Sequence, residues 1–196
     1  MTKFTQTYPT DLQYTKWLLI VQFFPPPKRG RSRQWELGQI INASLYVTRT
    51  GCQWRMLPKD MPPWQTVYGY FWRWTKSGVW ATINAALVRQ VHQTQGRDSK
   101  PSAAIIDSQS VKTSEGGYAC IGARVRKQFG WTLEIVKAPT GQKGFKVLPR
   151  RWGVERAFGW LGRYRRLARD YEHTVSSSEA MTYLASVRRM LKLATN

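Results

Sequence analysis

Two carboxylates stand out for the chemistry their surroundings would allow. Asp107 closes a short apolar run, Ala103-Ala104-Ile105-Ile106, and is followed by Ser108, Gln109 and Ser110. Such a run suits a strand buried on both faces. An acid at its C-terminal end sits on a rigid element where the sheet opens onto a cleft, a good place for a metal ligand. The alternative is an Asp that caps its own turn. Glu155 lies in Leu148–Glu172, among seven Arg between Arg150 and Arg169, with Asp170 and Glu172 only at the far end. It reads either as a functional acid in a cationic element or as a solvated acid neutralised by Arg151, one turn back on its face. Carboxylates on a strand end and a later helix suit a divalent-metal site, Mg²⁺ or Mn²⁺, with Asp107 and Glu155 as ligands. In phosphoryl transfer on DNA such ions activate the attacking oxygen and stabilise the leaving one.

These acids need elements to hold them. Over Leu148–Glu172 the residues Val154, Ala157, Phe158, Leu161 and Tyr164 recur at three- and four-residue steps, predicting one amphipathic helix with a buried stripe. Pro149 suits its entry. Gly159 and Gly162 each cost roughly 1 kcal/mol relative to Ala, but they leave bare backbone beside the carboxylate. Trp131–Val136 reads as a second strand and Gly144–Leu148 as a short third one. Tyr118–Phe129 suits a helix, and Ser177–Ala194 another, with Ser176 and Glu179 as its capping box and Met181, Leu184, Val187 and Leu191 as its stripe.

The half before residue 95 reads as helical throughout. Thr10–Phe24 is a helix capped by Thr10, with Asp11 at its positive end and Trp17, Leu18 and Val21 on one face. Glu36–Thr50 follows, with Leu37, Ile40, Ile41 and Leu45 inward and Gly51 as its stop. Trp64–Lys76 opens after Pro62-Pro63, and Val79–Thr94 precedes a polar linker, 95–102. Short helices with aromatic cores and exposed cations suit a helix-turn-helix-like module. The loop Lys28-Arg29-Gly30-Arg31-Ser32-Arg33 sets four cations in six residues, a phosphate-binding loop or an ordinary exposed connection.

Charge narrows the partners. The 196 residues carry a net charge of +20, and each half carries +10, so no single basic tail accounts for it. A surface of this kind attracts a polyanion, nucleic acid first and a membrane surface second. Nothing reaches 18 consecutive apolar residues, and Met1–Thr10 lacks the apolar core of a signal peptide. Cys52 and Cys120 have no Cys/His company, which argues against structural zinc or a disulfide framework and fits a reducing cytoplasm.

Several contiguous runs resemble the small bacterial insertion-sequence transposases, whose DDE triad of acids sits on a ribonuclease-H-like fold. Tyr8-Pro9-Thr10-Asp11, Pro25-Pro26-Pro27-Lys28-Arg29-Gly30, Arg49-Thr50-Gly51-Cys52-Gln53-Trp54-Arg55-Met56-Leu57-Pro58 and Pro62-Pro63-Trp64-Gln65-Thr66-Val67-Tyr68 are similar to that family's N-terminal domain. Ile106-Asp107-Ser108-Gln109-Ser110-Val111-Lys112 is similar to the segment of the first catalytic Asp. Pro149-Arg150-Arg151-Trp152 through Glu155-Arg156 to Tyr164-Arg165-Arg166-Leu167 is similar to the segment of the catalytic Glu. The Arg-x-x-x-Glu core is kept as Arg151 and Glu155. The signature's preceding Tyr and following basic residue are replaced by Leu148 and Gly162, with Arg163 adjacent.

The resemblance implies a helical N-terminal domain over 1–94, a linker over 95–102 and a reduced ribonuclease-H-like α/β domain over 103–196. It implies DNA contacts from Lys28, Arg29, Arg31, Arg33, Lys112, Arg150, Arg151, Arg156, Arg163, Arg165 and Arg166. The partners would be the element's terminal inverted repeats and target DNA, with a homo-oligomer among the expected assemblies and a nucleoid-associated, cytoplasmic location. The departure is the second acid. Between Asp107 and Glu155 there is no Asp, only Glu115 and Glu134. Lys112–Gly117 continues the first-Asp segment, while Gly116-Gly117-Tyr118-Ala119 resembles the family's run just after the second Asp. An internal deletion joined at Gly116-Gly117 would leave Glu115 in that slot. Three readings are open: an impaired transposase, a non-catalytic DNA-binding remnant that interferes with an intact one, and a basic RNA-binding protein, which accounts for the charge but not for the matched runs.

Overall fold

A computed structural model of the chain describes residues 7–26, 34–99, 126–127 and 152–195. The chain divides into two compact units, one of Met1–Ser102 with Phe158–Asn196 and the other of Ala103–Ala157. Among the described residues the structure is helical and contains no strand. The strands expected at Ala103–Ile106, Trp131–Val136 and Gly144–Leu148 lie outside them. Of the helix expected over Tyr118–Phe129, only Arg126 and Lys127 are described, and both are helical.

The larger unit opens with a turn rather than a helix. Asp11 Oδ2 accepts from the backbone N–H groups of Thr7 and Tyr8, each at 2.9 Å, and the Asp11 N–H donates to the Tyr8 carbonyl. The expected cap at Thr10 is therefore displaced: α1 spans Tyr14–Ile20 with Gln13 at its N-cap, and a 3₁₀ turn, Val21–Phe23, follows. The apolar arc of this segment is wider than the contact it makes. Ile20 and Phe24 are buried and Trp17 half-buried, while Leu18, expected on one face with Trp17, is 50% exposed.

Three helices run as their sequences predict. In α2, Leu37–Thr50, the Glu36 N–H donates to Gln39 Oε1 at 3.1 Å, which closes the first turn. Ile40, Ile41, Leu45 and Val47 are buried, and so are three polar residues, each with a partner. Asn42 Oδ1 accepts from the Leu12 N–H at 3.0 Å; the Ser44 and Thr48 hydroxyls donate to the carbonyls four residues back. Satisfying these groups removes the penalty of burying them. Gly51, at φ 73°, ends the helix. In α3, Trp64–Lys76, the residues Val67, Phe71 and Trp74 face inward; in α4, Val79–Thr94, Trp80, Ile83, Leu87 and Val91 do. Phe24, Trp74 and Trp80 form the aromatic centre: Phe24 and Trp74 centroids lie 4.7 Å apart, and Trp74 and Trp80 meet edge to face at 5.4 Å.

The segment expected as one helix over Leu148–Glu172 is two pieces. Helix α5 spans Trp152–Leu161 and stops. The Gly162 N–H donates to the Phe158 carbonyl, the Tyr164 N–H to that of Leu161, and a 3₁₀ turn follows at Arg165–Leu167. The chain turns because residues 163–166 dock on the end of α2. The Arg49 guanidinium donates to the Arg163 carbonyl, and Arg166 Nη1 reaches the Cys52 carbonyl at 3.4 Å. Backbone approach here is close: a Cβ on Gly51 would stand 2.9 Å from Arg165 Cβ. The expected stripe of α5 is also not a core stripe. No residue of α5 is buried, and Phe158 is 60% exposed.

The last helix, α6, spans Val175–Ala194 and closes the core. Its cap is Thr174, whose Oγ1 accepts from the Ser177 N–H at 3.2 Å, in place of the expected Ser176–Glu179 box. Met181, Leu184, Val187 and Leu191 are buried as predicted, chiefly against α4, with further contacts to α2 and α3.

Candidate functional site

Of the acids singled out in the sequence, Glu155 is the one within the described residues. It is exposed in the first turn of α5. Asp107, Glu115, Lys28, Arg29, Arg31, Arg33, Lys112, Arg150 and Arg151 lie outside them. Beside Glu155, Arg156 is exposed and its guanidinium carbon lies 5.6 Å from the Trp152 ring centroid. Among the described residues no three His, Cys, Asp or Glu side chains come together as metal donors.

The remaining arginines of this segment divide by burial. Arg163 and Arg165 are exposed. Arg166 is not: its side chain and that of Glu172 are each 9% exposed, with Nε and Nη2 both 2.7 Å from Glu172 Oε1. Its guanidinium also lies over the Tyr171 ring. The charge of Arg166 is thus matched inside the fold, and its third direction is fixed by the Cys52 carbonyl.

A second cationic group is assembled by the fold and was not legible in the sequence. Arg49 leaves the last turn of α2 and its guanidinium carbon stands 5.5 Å from the Tyr164 ring centroid. Arg188 and Arg189 come from α6. Arg188 donates to the carbonyls of Pro9, at 2.8 Å, and Thr10. Arg189 lies over Trp160, 4.0 Å from the ring centroid. Burial raises the Tyr164 phenol above its usual range, and Arg188, Arg49 and Arg189 all pull the other way. For Arg188 burial lowers the pKa, Tyr164 and Asp11 oppose that, and Arg49 adds to it. More than a hundred residues separate Arg49 from its companions, so only tertiary structure brings them together.

Comparison with known proteins gives these arrangements their context. Residues 12–84, which include α1 to α3 and the start of α4, match the family described as "Putative transposase of IS4/5 family". Residues 127–192, which include α5 and nearly all of α6, match the "Transposase DDE domain". Over 110 residues the chain is 30% identical to the "Insertion element IS402 uncharacterized 16.2 kDa protein" of Burkholderia cepacia, an alignment spanning 52% of this chain and 72% of that protein. No solved structure matches. Both ends of the chain thus point to one class, the proteins encoded by insertion sequences. The chain belongs to the IS4/5 family of insertion-sequence transposases. The DDE match includes Glu155 and begins beyond Asp107 and Glu115. No described helix is long and apolar enough to cross a membrane.

Proposed function

We propose that this chain is a DNA-binding insertion-sequence transposase whose strand-cleaving site is impaired by loss of its middle acid. The observation that carries the reading is the acid count: Asp107 and Glu155 are present, and no Asp lies between them. Family membership supports the remainder. The two family matches leave residues 85–126 uncovered, and that interval contains both Asp107 and the Gly116-Gly117 pair where the chain reads as a deletion junction. On this reading the second domain, 103–196, is a shortened ribonuclease-H-like α/β domain.

Asp107 and Glu155 would be the ligands of a divalent cation, Mg²⁺ or Mn²⁺, since carboxylate oxygens suit such hard ions. Bound there, the cation would polarise the scissile phosphate and lower the pKa of the attacking water. Glu115 is the stand-in for the missing Asp, one methylene longer. A reacting group misplaced by about 1 Å can lose roughly 100-fold in rate. The exposed Arg156, Arg163 and Arg165 would contact the DNA backbone, together with Lys28, Arg29, Arg31, Arg33, Lys112, Arg150 and Arg151. A second reading, a non-catalytic remnant that occupies element ends and interferes with an intact transposase, is favoured by the same missing acid.

A supercoiled-plasmid nicking assay with Mg²⁺ or Mn²⁺ tests the impairment that both readings share. Binding without nicking is the expected result. Metal-dependent nicking abolished by Asp107→Ala or Glu155→Ala would overturn the impairment. An uninterrupted relative of the same length, lacking the same Asp, would remove the deletion.

A further inference from the structure

The arginine group at the junction of α2, α6 and the turn after α5 has features of a ligand site. Arginine keeps its charge at any physiological pH, so Arg49, Arg188 and Arg189 repel one another however they are buried. Among the described residues, not all of that charge is neutralised by a carboxylate. Asp11 acts on Arg188, and the Arg188 donors are occupied by the carbonyls of Pro9 and Thr10. Arg49 makes its described hydrogen bond to a neutral carbonyl, that of Arg163. Arg189 is held flat on Trp160, which fixes the plane of its donors, yet its Nε is buried with no hydrogen-bond partner in the described structure. A buried donor left without an acceptor is destabilising, and it marks this guanidinium as short of hydrogen-bond acceptors among the described residues. Tyr164, between these cations, stays a neutral phenol and can donate its O–H.

We propose that Arg49, Arg189 and the Tyr164 hydroxyl form a phosphodiester-binding site that grips the backbone of duplex DNA. The planar guanidinium fork suits two phosphate oxygens at once. The site lies within the larger unit and shares no residue with the Asp107/Glu155 pair. It rests on the DNA-binding reading above, and adds to it a backbone grip on the α2 and α6 helices that uses neither acid.

The test measures affinity for a random-sequence 30-base-pair duplex across a salt series, using the full chain. Each phosphate contact adds about 0.9 to the slope of log affinity against log salt. Arg49→Gln and Arg189→Gln should each lower the slope by about one and weaken binding about tenfold. Arg89→Gln, the same charge change at an exposed site on α4, should do distinctly less. Inorganic phosphate should displace the duplex no better than chloride of equal ionic strength. Should Arg189→Gln melt early, Arg49→Gln alone and protection of Arg49 from phenylglyoxal by duplex in the unaltered protein carry the test. Variants that melt normally and match Arg89→Gln overturn the site. Specific displacement by free phosphate overturns its assignment to DNA. Failure of the unaltered protein to bind any duplex at low salt removes the DNA-binding reading itself, and the site with it.

Discussion

Helices α3 and α5 share a sequence pattern and differ in what became of it. Both repeat apolar residues at helical spacing: Val67, Phe71 and Trp74 in α3, and Val154, Ala157, Phe158 and Leu161 in α5. The α3 residues are 0–2% exposed; α5 has no buried residue at all. Periodicity therefore specifies that a helix forms and which face could be buried, while burial itself needs a partner surface. For α3 that surface comes from α2, α4 and α6. On α5 Glu155, Arg156 and Phe158 are exposed, while Val154, Ala157 and Leu161 are only half-buried.

The most demanding test of this contrast is truncation of one aromatic in each region. Phe71→Ala or Trp80→Ala removes a ring that is 1% exposed at the centre of the core, and should cost about 3–5 kcal/mol. Phe158→Ala should change stability by no more than about 0.5 kcal/mol, as exposed substitutions do. Urea melts of both decide it. Equal losses would mean that Phe158 is a core residue and that the exposure of α5 is not its working state.

The segment just after α5 extends the same contrast, because its backbone and Arg166 are docked on the end of α2. Glu172→Gln would leave the Arg166 guanidinium buried without its counter-ion, at a cost of about 3 kcal/mol. A melt within about 0.5 kcal/mol of the unaltered protein would show this pair to be a surface bridge. Gly51→Ala should cost less, about 1–3 kcal/mol, from a left-handed backbone and a Cβ driven against Arg165. If Gly51→Ala were neutral, the docking of residues 163–166 on α2 would not hold in solution.

The parts that were legible in the sequence are those governed by local rules. α2, α3 and α4 start and stop where Glu36, Pro63 and Gly78 place them, and the stripe of α6 follows from its spacing. What failed was decided by distant contacts or by competition between neighbours. Thr10 yields its cap because the nearby Asp11 ties the preceding turn. Helix α5 stops at Leu161 because residues 163–166 meet the end of α2, 114 residues away in sequence by the Arg49–Arg163 bond. The same distance hid the Arg49–Tyr164–Arg189 group, whereas Glu155 stood out in its Arg-rich neighbourhood, which by itself left it open between a functional and a solvated acid. Arg166 was legible as a cation but not as a buried one, since its partner Glu172 looked like the end of a charged helix.

The mildest outcome concerns the phenol at the centre of that group. Burial raises the Tyr164 pKa above the usual value of 10.0, and the three arginines reduce but do not cancel the rise. A group held more tightly protonated in the folded chain contributes stability that is complete below the unfolded pKa and lost as pH rises through the folded one. The loss should therefore begin only above about pH 10. Tyr164→Phe keeps the ring against Arg49 and removes the ionisation, so the difference in melting temperature between the two proteins should be flat to about pH 9 and then shift in favour of the Phe variant. The sign carries the information. If the unaltered protein gained on the variant at high pH, the phenolate would be the favoured form, the arginines would outweigh burial, and the group would already be a preformed anion site with its own tyrosinate as the anion.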